Sequence, residues 1–105
     1  MYDTYLLSFY VPETHLEKVL EVVFSAGAGR YKAYDRCAWS TDGKGRFRPL
    51  ENSEPYLGRP GEDTMVPEIK VECLVPGDRR SAVEQALLSE HPYEEPAFHF
   101  LGIGH

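Results

Sequence analysis

The chain has few of the residues from which chemistry is most often built. Its 105 residues include two cysteines, four histidines, two methionines and one tryptophan. Cys37 and Cys73 form no Cys-x-x-Cys pair and make a poor disulfide framework, so both are expected as small buried hydrophobes. Apolar residues come in short bursts that fall well short of the ~20 needed to cross a bilayer, which excludes a membrane-spanning helix. Met1-Tyr2-Asp3-Thr4 has neither the basic nor the apolar region of a secretory leader, and this points to the cytoplasm. Basic residues number 11 against 17 acidic ones, a formal charge of −6. A general nucleic-acid binder needs a basic surface to meet phosphates, and this balance argues against one. Nor is there a nucleophile elbow, a P-loop, a Gly-x-Gly-x-x-Gly run or a His-Glu-x-x-His pair.

What is present is the composition of one ordinary globular domain spanning residues 1–105, with 42% hydrophobic and 12% aromatic residues. Polar chemistry is concentrated in His91-Pro92-Tyr93-Glu94-Glu95-Pro96. Each proline fixes its own φ and biases the residue before it towards extended backbone, so the segment is a stiff connector. It packs an imidazole, a phenol and two carboxylates into five residues. That set suits a metal ion, a cationic ligand or proton transfer; it also suits a rigid turn whose glutamates are simply solvated.

An internal duplication sets the architecture. Tyr5 to Pro12 and Ile69 to Pro76 are β-prone runs that both end in Val-Pro, which reads as a strand stopped by proline. At the same offset Val19 aligns with Val83, Val23 with Leu87, Phe24 with Leu88 and Ser25 with Ser89. Leu16, Val19, Leu20, Val23 and Phe24 form one helical stripe, with Thr14 and Glu17 as a capping box and Gly27 and Gly29 as the stop. Ala82, Val83, Ala86 and Leu87 form a shorter stripe, with Asp78 as N-cap and Pro92 as stop. A strand is predicted after each helix, over Gly29 to Ser40 and over Ala97 to Ile103. The order β-α-β-β-α-β predicts an α+β ferredoxin-like sandwich, a four-stranded antiparallel sheet with two helices on one face. The other face is expected to carry many tyrosines and to be covered in a homo-oligomer.

Between the halves lies a long excursion, residues 41–66. Asp42-Gly43-Lys44-Gly45 is a turn signal, and Arg46-Phe47-Arg48-Pro49 would return as a short strand against the one through Trp39. Glu51 to Pro67 reads as loop. Lys44, Arg46, Arg48 and Arg59 make this the one locally basic stretch. Either an anion or an acidic partner docks there, or the arginines pair with Glu51, Glu54 and Asp63.

Several ordered motifs then coincide. Gly27-Ala28-Gly29-Arg30, Tyr34-Asp35-Arg36-Cys37, Phe47-Arg48-Pro49-Leu50, Glu54-Pro55-Tyr56-Leu57-Gly58 and the closing His91 to Ala97 run resemble a domain inserted in Nif-three-like dimetal proteins. Gly45-Arg46-Phe47-Arg48-Pro49 departs mildly from that family's Thr-Phe-Arg-Pro loop. The inserted domain is in turn similar to CutA and PII signalling proteins. The resemblance covers nearly the whole chain and implies a CutA/PII-like, trimeric domain standing alone. In the dimetal proteins both metals sit on flanking domains that have no counterpart here, so the resemblance carries no hydrolytic activity across.

Three functions follow as expectations. The first is a trimeric binding or regulatory module that holds a divalent metal or small ligand at subunit junctions. Its metal ligands would be His91, Glu94, Glu95 and Cys37, with Tyr93, Arg46, Arg48 and Arg59 as ligand or partner contacts. His99 and His105 are weaker candidates. The second is a protein-interaction module that uses the loop of residues 41–66. The third, weighed lowest, is an enzyme with Glu94 or Glu95 as base and Tyr93 or His91 as acid.

Overall fold

The computed structural model describes residues 2–104. Alternation in the two duplicated runs sets the centre of the sheet. β1 (Thr4–Val11) buries Leu7, Phe9 and Val11, and β3 (Thr64–Pro76) buries Ile69, Val71, Cys73 and Val75. They pair antiparallel with Leu7 opposite Cys73, Phe9 opposite Val71 and Val11 opposite Ile69, so the apolar stripes of both strands share one face. β4 (Phe98–Ile103) lines the free edge of β1 with Ile103 opposite Thr4, and β2 (Trp39–Phe47) lines the free edge of β3. The sheet order is β2-β3-β1-β4, antiparallel throughout. α1 (Glu13–Ala26) and α2 (Arg80–Glu90), the latter preceded by a 3-10 turn over Gly77–Arg79, cover the apolar face. This is the α+β ferredoxin-like sandwich that the duplication predicts. Val19, Val23, Val83 and Leu87, which the repeat superimposes, are all fully buried.

The helix ends differ from the expected caps. Pro12 occupies the N-cap position of α1 with φ −65°, and Thr14 Oγ1 hydrogen-bonds His15 Nδ1 at 2.9 Å instead of closing a capping box. Proline already supplies the entry geometry. Asp78 lies inside the 3-10 turn and makes no cap hydrogen bond to α2. At the other end of α1, Arg79 Nε donates to the Ala26 carbonyl at 2.7 Å. That satisfies a terminal carbonyl and sets a cation at the negative end of the helix dipole.

Three other expectations are corrected. Residues 30–38 are a surface turn with a single bridge between Tyr31 and Tyr34, and the strand starts only at Trp39. Asp42-Gly43-Lys44-Gly45 does not turn; it runs on extended to Phe47, paired with Ile69 through Val66. Pairing with a long neighbouring strand overrides local turn preference here. β3 therefore begins at Thr64 and passes through Pro67, on the stretch where β1 no longer flanks it and proline is tolerated. Finally, the open face is not rich in tyrosine. By strand alternation it carries Tyr10 beside Leu6, Leu74, Trp39 and Leu101, the last two 61% and 62% exposed. Tyr5 lies on the helix side, with the Arg80 guanidinium 5.3 Å over its ring.

Gly29 is a point of close backbone approach. Its φ is +82°, its N–H donates to the Leu74 carbonyl at 2.7 Å, and its own carbonyl accepts the Cys37 N–H at 2.9 Å. A Cβ there would stand 2.9 Å from both the nitrogen and the oxygen of Cys37, whereas at Gly61 (φ +83°) it would meet open space. Alanine at either position carries the ~1–2 kcal/mol cost of left-handed backbone. Gly29→Ala should lower the urea-unfolding free energy clearly more than Gly61→Ala, because main-chain atoms must also move. Equal losses would contradict the crowding.

Candidate functional site

Two segments remote in sequence meet beside the last residues of β1. The turn after α2 folds over Tyr10, and the loop between β2 and β3 folds against that turn. His91 is the anchor. It is 8% exposed, its Nε2 lies 2.6 Å from the Tyr10 carbonyl, and its Nδ1 accepts the Tyr93 N–H at 3.2 Å. A carbonyl only accepts and an N–H only donates, so the ring is neutral with its proton on Nε2. Burial holds its pKa below the ordinary 6.5, against the opposing pull of the Tyr10 carbonyl.

Tyr93 is set by this anchor. Its hydroxyl donates to Glu68 Oε2 at 2.8 Å. Burial, and then the Glu68 hydrogen bond, push the phenol up, so it stays protonated and remains a donor. A Cβ at residue 45 would occupy the place of the Glu68 carboxylate, so Gly45 leaves the seat in which that carboxylate rests. Around Tyr93 stand the rings of His91, Tyr56 and Phe47, with centroids at 4.9, 6.1 and 6.5 Å, and His15 meets Tyr56 edge-on at 5.8 Å. Glu94 Oε1 accepts the Glu54 N–H at 3.0 Å and fastens the central loop to the turn.

Together these groups shape a cleft of about 430 Å³. Tyr10, Phe47, Tyr56 and Tyr93 supply its aromatic lining, and its charged residues are Arg46, Arg48, Glu68, Glu94 and Glu95. A smaller depression of about 200 Å³ shares Tyr10 and Glu68 with it and continues past Gly43 to Lys44 and Lys70.

Of the residues chosen from sequence, Tyr93, Glu94, Glu95, Arg46 and Arg48 come together here. His91 lies buried with both ring nitrogens engaged, so neither is presented to a metal. Cys37 is elsewhere: it is exposed in the turn of residues 30–38, contrary to its expected burial, and its Sγ donates to the Asp35 carbonyl at 3.6 Å. Arg59 is exposed and does not line the cleft, and His99 is exposed on β4. His105 lies outside the described residues. Among the described residues, no three of His, Cys, Asp and Glu converge as metal ligands. Cys73 is a buried hydrophobe, its thiol pushed up to about 12 by burial. Ion pairs among the described residues join Arg36 to Glu21, Lys70 to Glu72 and Arg80 to Glu84. The expected partners Glu51, Glu54 and Asp63 thus do not neutralise Arg46 and Arg48. Glu68, Tyr10 and Tyr56 escaped the sequence reading. Only the proline beside Tyr56 and the alternation that sets Glu68 opposite the apolar stripe marked them.

No protein-family model matches the chain. A GTP cyclohydrolase 1 type 2 homolog from Halalkalibacterium halodurans is 38% identical over 94 residues, covering 90% of this chain and 25% of its own length. The chain spans about a quarter of the length of the curated relatives it matches. A Bacillus cereus protein related to NIF3 superposes with a TM-score of 0.84 at 30% identity, over 97% of this chain and 26% of that one. CutA1 from Shewanella sp. SIB1 superposes with a TM-score of 0.72 at 14% identity, over 99% of this chain and 84% of that one, a likeness of fold.

Two outcomes test this geometry. Folded His91 resists protonation, so below its ordinary 6.5 the unfolded chain binds the proton more readily. Stability is full at neutral pH and is lost as pH falls from that value towards the lower folded one. His91→Gln should flatten that part of the unfolding profile; an unchanged slope would show that the ring protonates freely in the fold. In a double-mutant cycle, Tyr93→Phe and Glu68→Ala should couple by about 1 kcal/mol, the scale of a half-buried hydrogen bond to a carboxylate. Additive losses would mean that the bond contributes nothing.

Proposed function

Because the chain is a relative of one quarter-length segment of the GTP cyclohydrolase 1 type 2 homologs, and has the fold of a NIF3-related protein's matching part and of CutA1, we propose that it is a small oligomeric binding or regulatory module holding a small organic ligand in the cleft beside Tyr93. The observation that carries this reading is convergence. Chain segments from both halves of the duplication build one aromatic cleft, and several of its charged groups are left available. Pockets of this size, apolar with a few placed polar groups, are the usual form of small-ligand sites.

Association supports the same reading. Leu6, Leu74, Trp39 and Leu101 leave an apolar patch on the open sheet face, flanked by Lys70, Glu72 and His99, and burying such a patch is a common reason for subunits to pack. A trimer is the form that the CutA/PII resemblance implies. Tyr10, Gly45, Phe47 and Glu68 lie on that same face by strand alternation, so a copy packed there would border the cleft and set the ligand at a subunit junction. The module belongs on this reading to the cytoplasm; no helix among the described residues is long and apolar enough to cross a membrane. We take the activity named for the longer relatives not to reside in this segment. A divalent metal is the weaker occupant, since His91 is spent and Cys37 is remote, leaving Glu94 and Glu95. Protein docking through the central loop is a second reading, favoured by the exposure of Leu50, Tyr56 and Leu57 on it.

Screening a fragment library by NMR against the full chain should shift the amide signals of Gly45, Phe47 and Tyr93, and light scattering should report a trimer. Equilibrium dialysis against Zn²⁺ should leave equally little metal on the wild type and on Glu94→Ala/Glu95→Ala. Fragments that never move the cleft signals would overturn the ligand site. A monomer would overturn the junction, and metal lost on substitution would restore the ion as occupant.

A further inference from the structure

We propose that the cleft takes an organic cation, an alkylated ammonium group held on aromatic rings beside a carboxylate. This rests on the cleft being a ligand site and adds the charge and shape of its occupant. Two kinds of group in the cleft lack the partner that the fold supplies elsewhere. Outside the cleft, partly exposed rings carry a cation of the chain itself. The Arg36 guanidinium stands 5.0 Å over Phe24, and that of Arg80 stands 5.3 Å over Tyr5 and 4.6 Å over Phe100. Among the described residues no lysine or arginine rests on Tyr10, Phe47, Tyr56 or Tyr93, although Arg46 and Arg48 flank Phe47 in sequence. Strand alternation turns Arg46 to the other side of β2, away from the face that carries Gly45 and Phe47. None of the four rings is buried, and Tyr56 is 50% exposed. The ring faces are open.

The carboxylates are unmatched too. Glu68, Glu94 and Glu95 line the cleft and take part in none of the ion pairs among the described residues. Glu68 accepts the Tyr93 hydroxyl and Glu94 the Glu54 N–H, but a neutral donor leaves a carboxylate's charge in place. Glu68 is the one whose seat is fixed. Its carboxylate rests over Gly45 at the rim of the Tyr93 ring, and its Oε1 has no donor among the described residues and is reached by solvent. Lys70, on the same face of β3, leans instead to Glu72 at 3.9 Å. A cation seated here meets the tilted rings of Phe47 and Tyr56, 6.5 and 6.1 Å from that of Tyr93, and a fixed anion beside them. Ring faces attract cations through their quadrupole, more so once the cation has shed its water. A bare ammonium is strongly hydrated, whereas an alkylated one sheds water readily and also suits the apolar walls that Pro49, Leu50, Pro55 and Leu57 complete. The chain's net charge of −6 draws cations towards it from a distance.

The test titrates the ¹⁵N-labelled full chain at one pH and ionic strength, reading the Gly45, Phe47 and Tyr93 amides. The probes are choline, its uncharged isostere neohexyl alcohol, the anion pivalate, ethanolamine and Mg²⁺. Choline should bind about tenfold tighter than neohexyl alcohol, a difference worth ~1.4 kcal/mol, and tighter than the other three. Added salt should weaken choline and not the alcohol. Glu68→Gln, which keeps an acceptor for the Tyr93 hydroxyl, should cut the choline-to-alcohol ratio severalfold. So should Tyr56→Leu, which removes an exposed ring and leaves the core alone. An unchanged ratio in both variants would overturn the proposal. Neohexyl alcohol or pivalate matching choline would overturn the charge preference yet leave the cleft as a site. Ethanolamine matching choline would overturn the alkylated headgroup, and Mg²⁺ matching it would overturn the role of the rings. Silence of the cleft signals towards every probe would overturn both this inference and the ligand-site reading.

Discussion

The hydrogen bond between His91 Nε2 and the Tyr10 carbonyl ties the end of β1 to the turn that follows α2, and the rest of the site is built outward from it. A ring nitrogen that donates to a carbonyl leaves the other nitrogen as an acceptor, and that acceptor takes the Tyr93 N–H. The backbone of Tyr93 is thereby fixed, its hydroxyl reaches Glu68, and Glu68 in turn rests in the space that Gly45 leaves open. Each of these three links presents one donor to one acceptor. The chain of bonds needs a neutral imidazole throughout, and burial supplies that condition. The histidine is thus a positioning residue whose chemistry is consumed by the fold.

This assignment changes the meaning of the proline-bounded motif. On sequence alone, imidazole, phenol and two carboxylates within five residues read as a ligand set. In the fold they separate by depth. His91 goes beneath the surface, Tyr93 forms the wall of the cleft, and Glu94 and Glu95 remain exposed. The stiffness that Pro92 and Pro96 confer keeps these levels in order, which a glycine-rich turn would not do. Glu94 then fastens the central loop through the Glu54 N–H, a contact between residues that no local pattern links.

The fold itself was largely legible because it rests on repetition. The two Val-Pro strands, and Val19, Val23, Val83 and Leu87 behind them, carry the same spacing twice, and burial follows that spacing. The errors fall where tertiary pairing defeats local preference. Asp42-Gly43-Lys44-Gly45 has turn composition, but Gly45 is needed to clear room for the Glu68 carboxylate, and β3 offers a complete ladder to extend along. The tyrosine face failed for a matter of parity: Tyr5 and Tyr10 lie an odd number of residues apart, so one points to the helices and the other away. The cleft was half legible. Charged residues of the basic stretch and the proline-bounded turn were visible one by one, whereas their meeting depends on β2 running straight to Phe47, which local turn signals denied.

Thr4 and Ile103 face each other across β1 and β4, while Tyr10 and the cleft lie six residues further along β1, roughly 20 Å away at the rise of a strand. The start of β1 and the end of β4 therefore lie side by side, at the end of the sheet remote from the cleft. A unit with this geometry can be spliced into a surface loop of another fold as a pendant, since the gap between its two stems is no wider than a hairpin and closing it costs the host chain little. The end that carries the cleft then projects away from the splice. The quarter-length match within much longer relatives is what such modular grafting would leave behind.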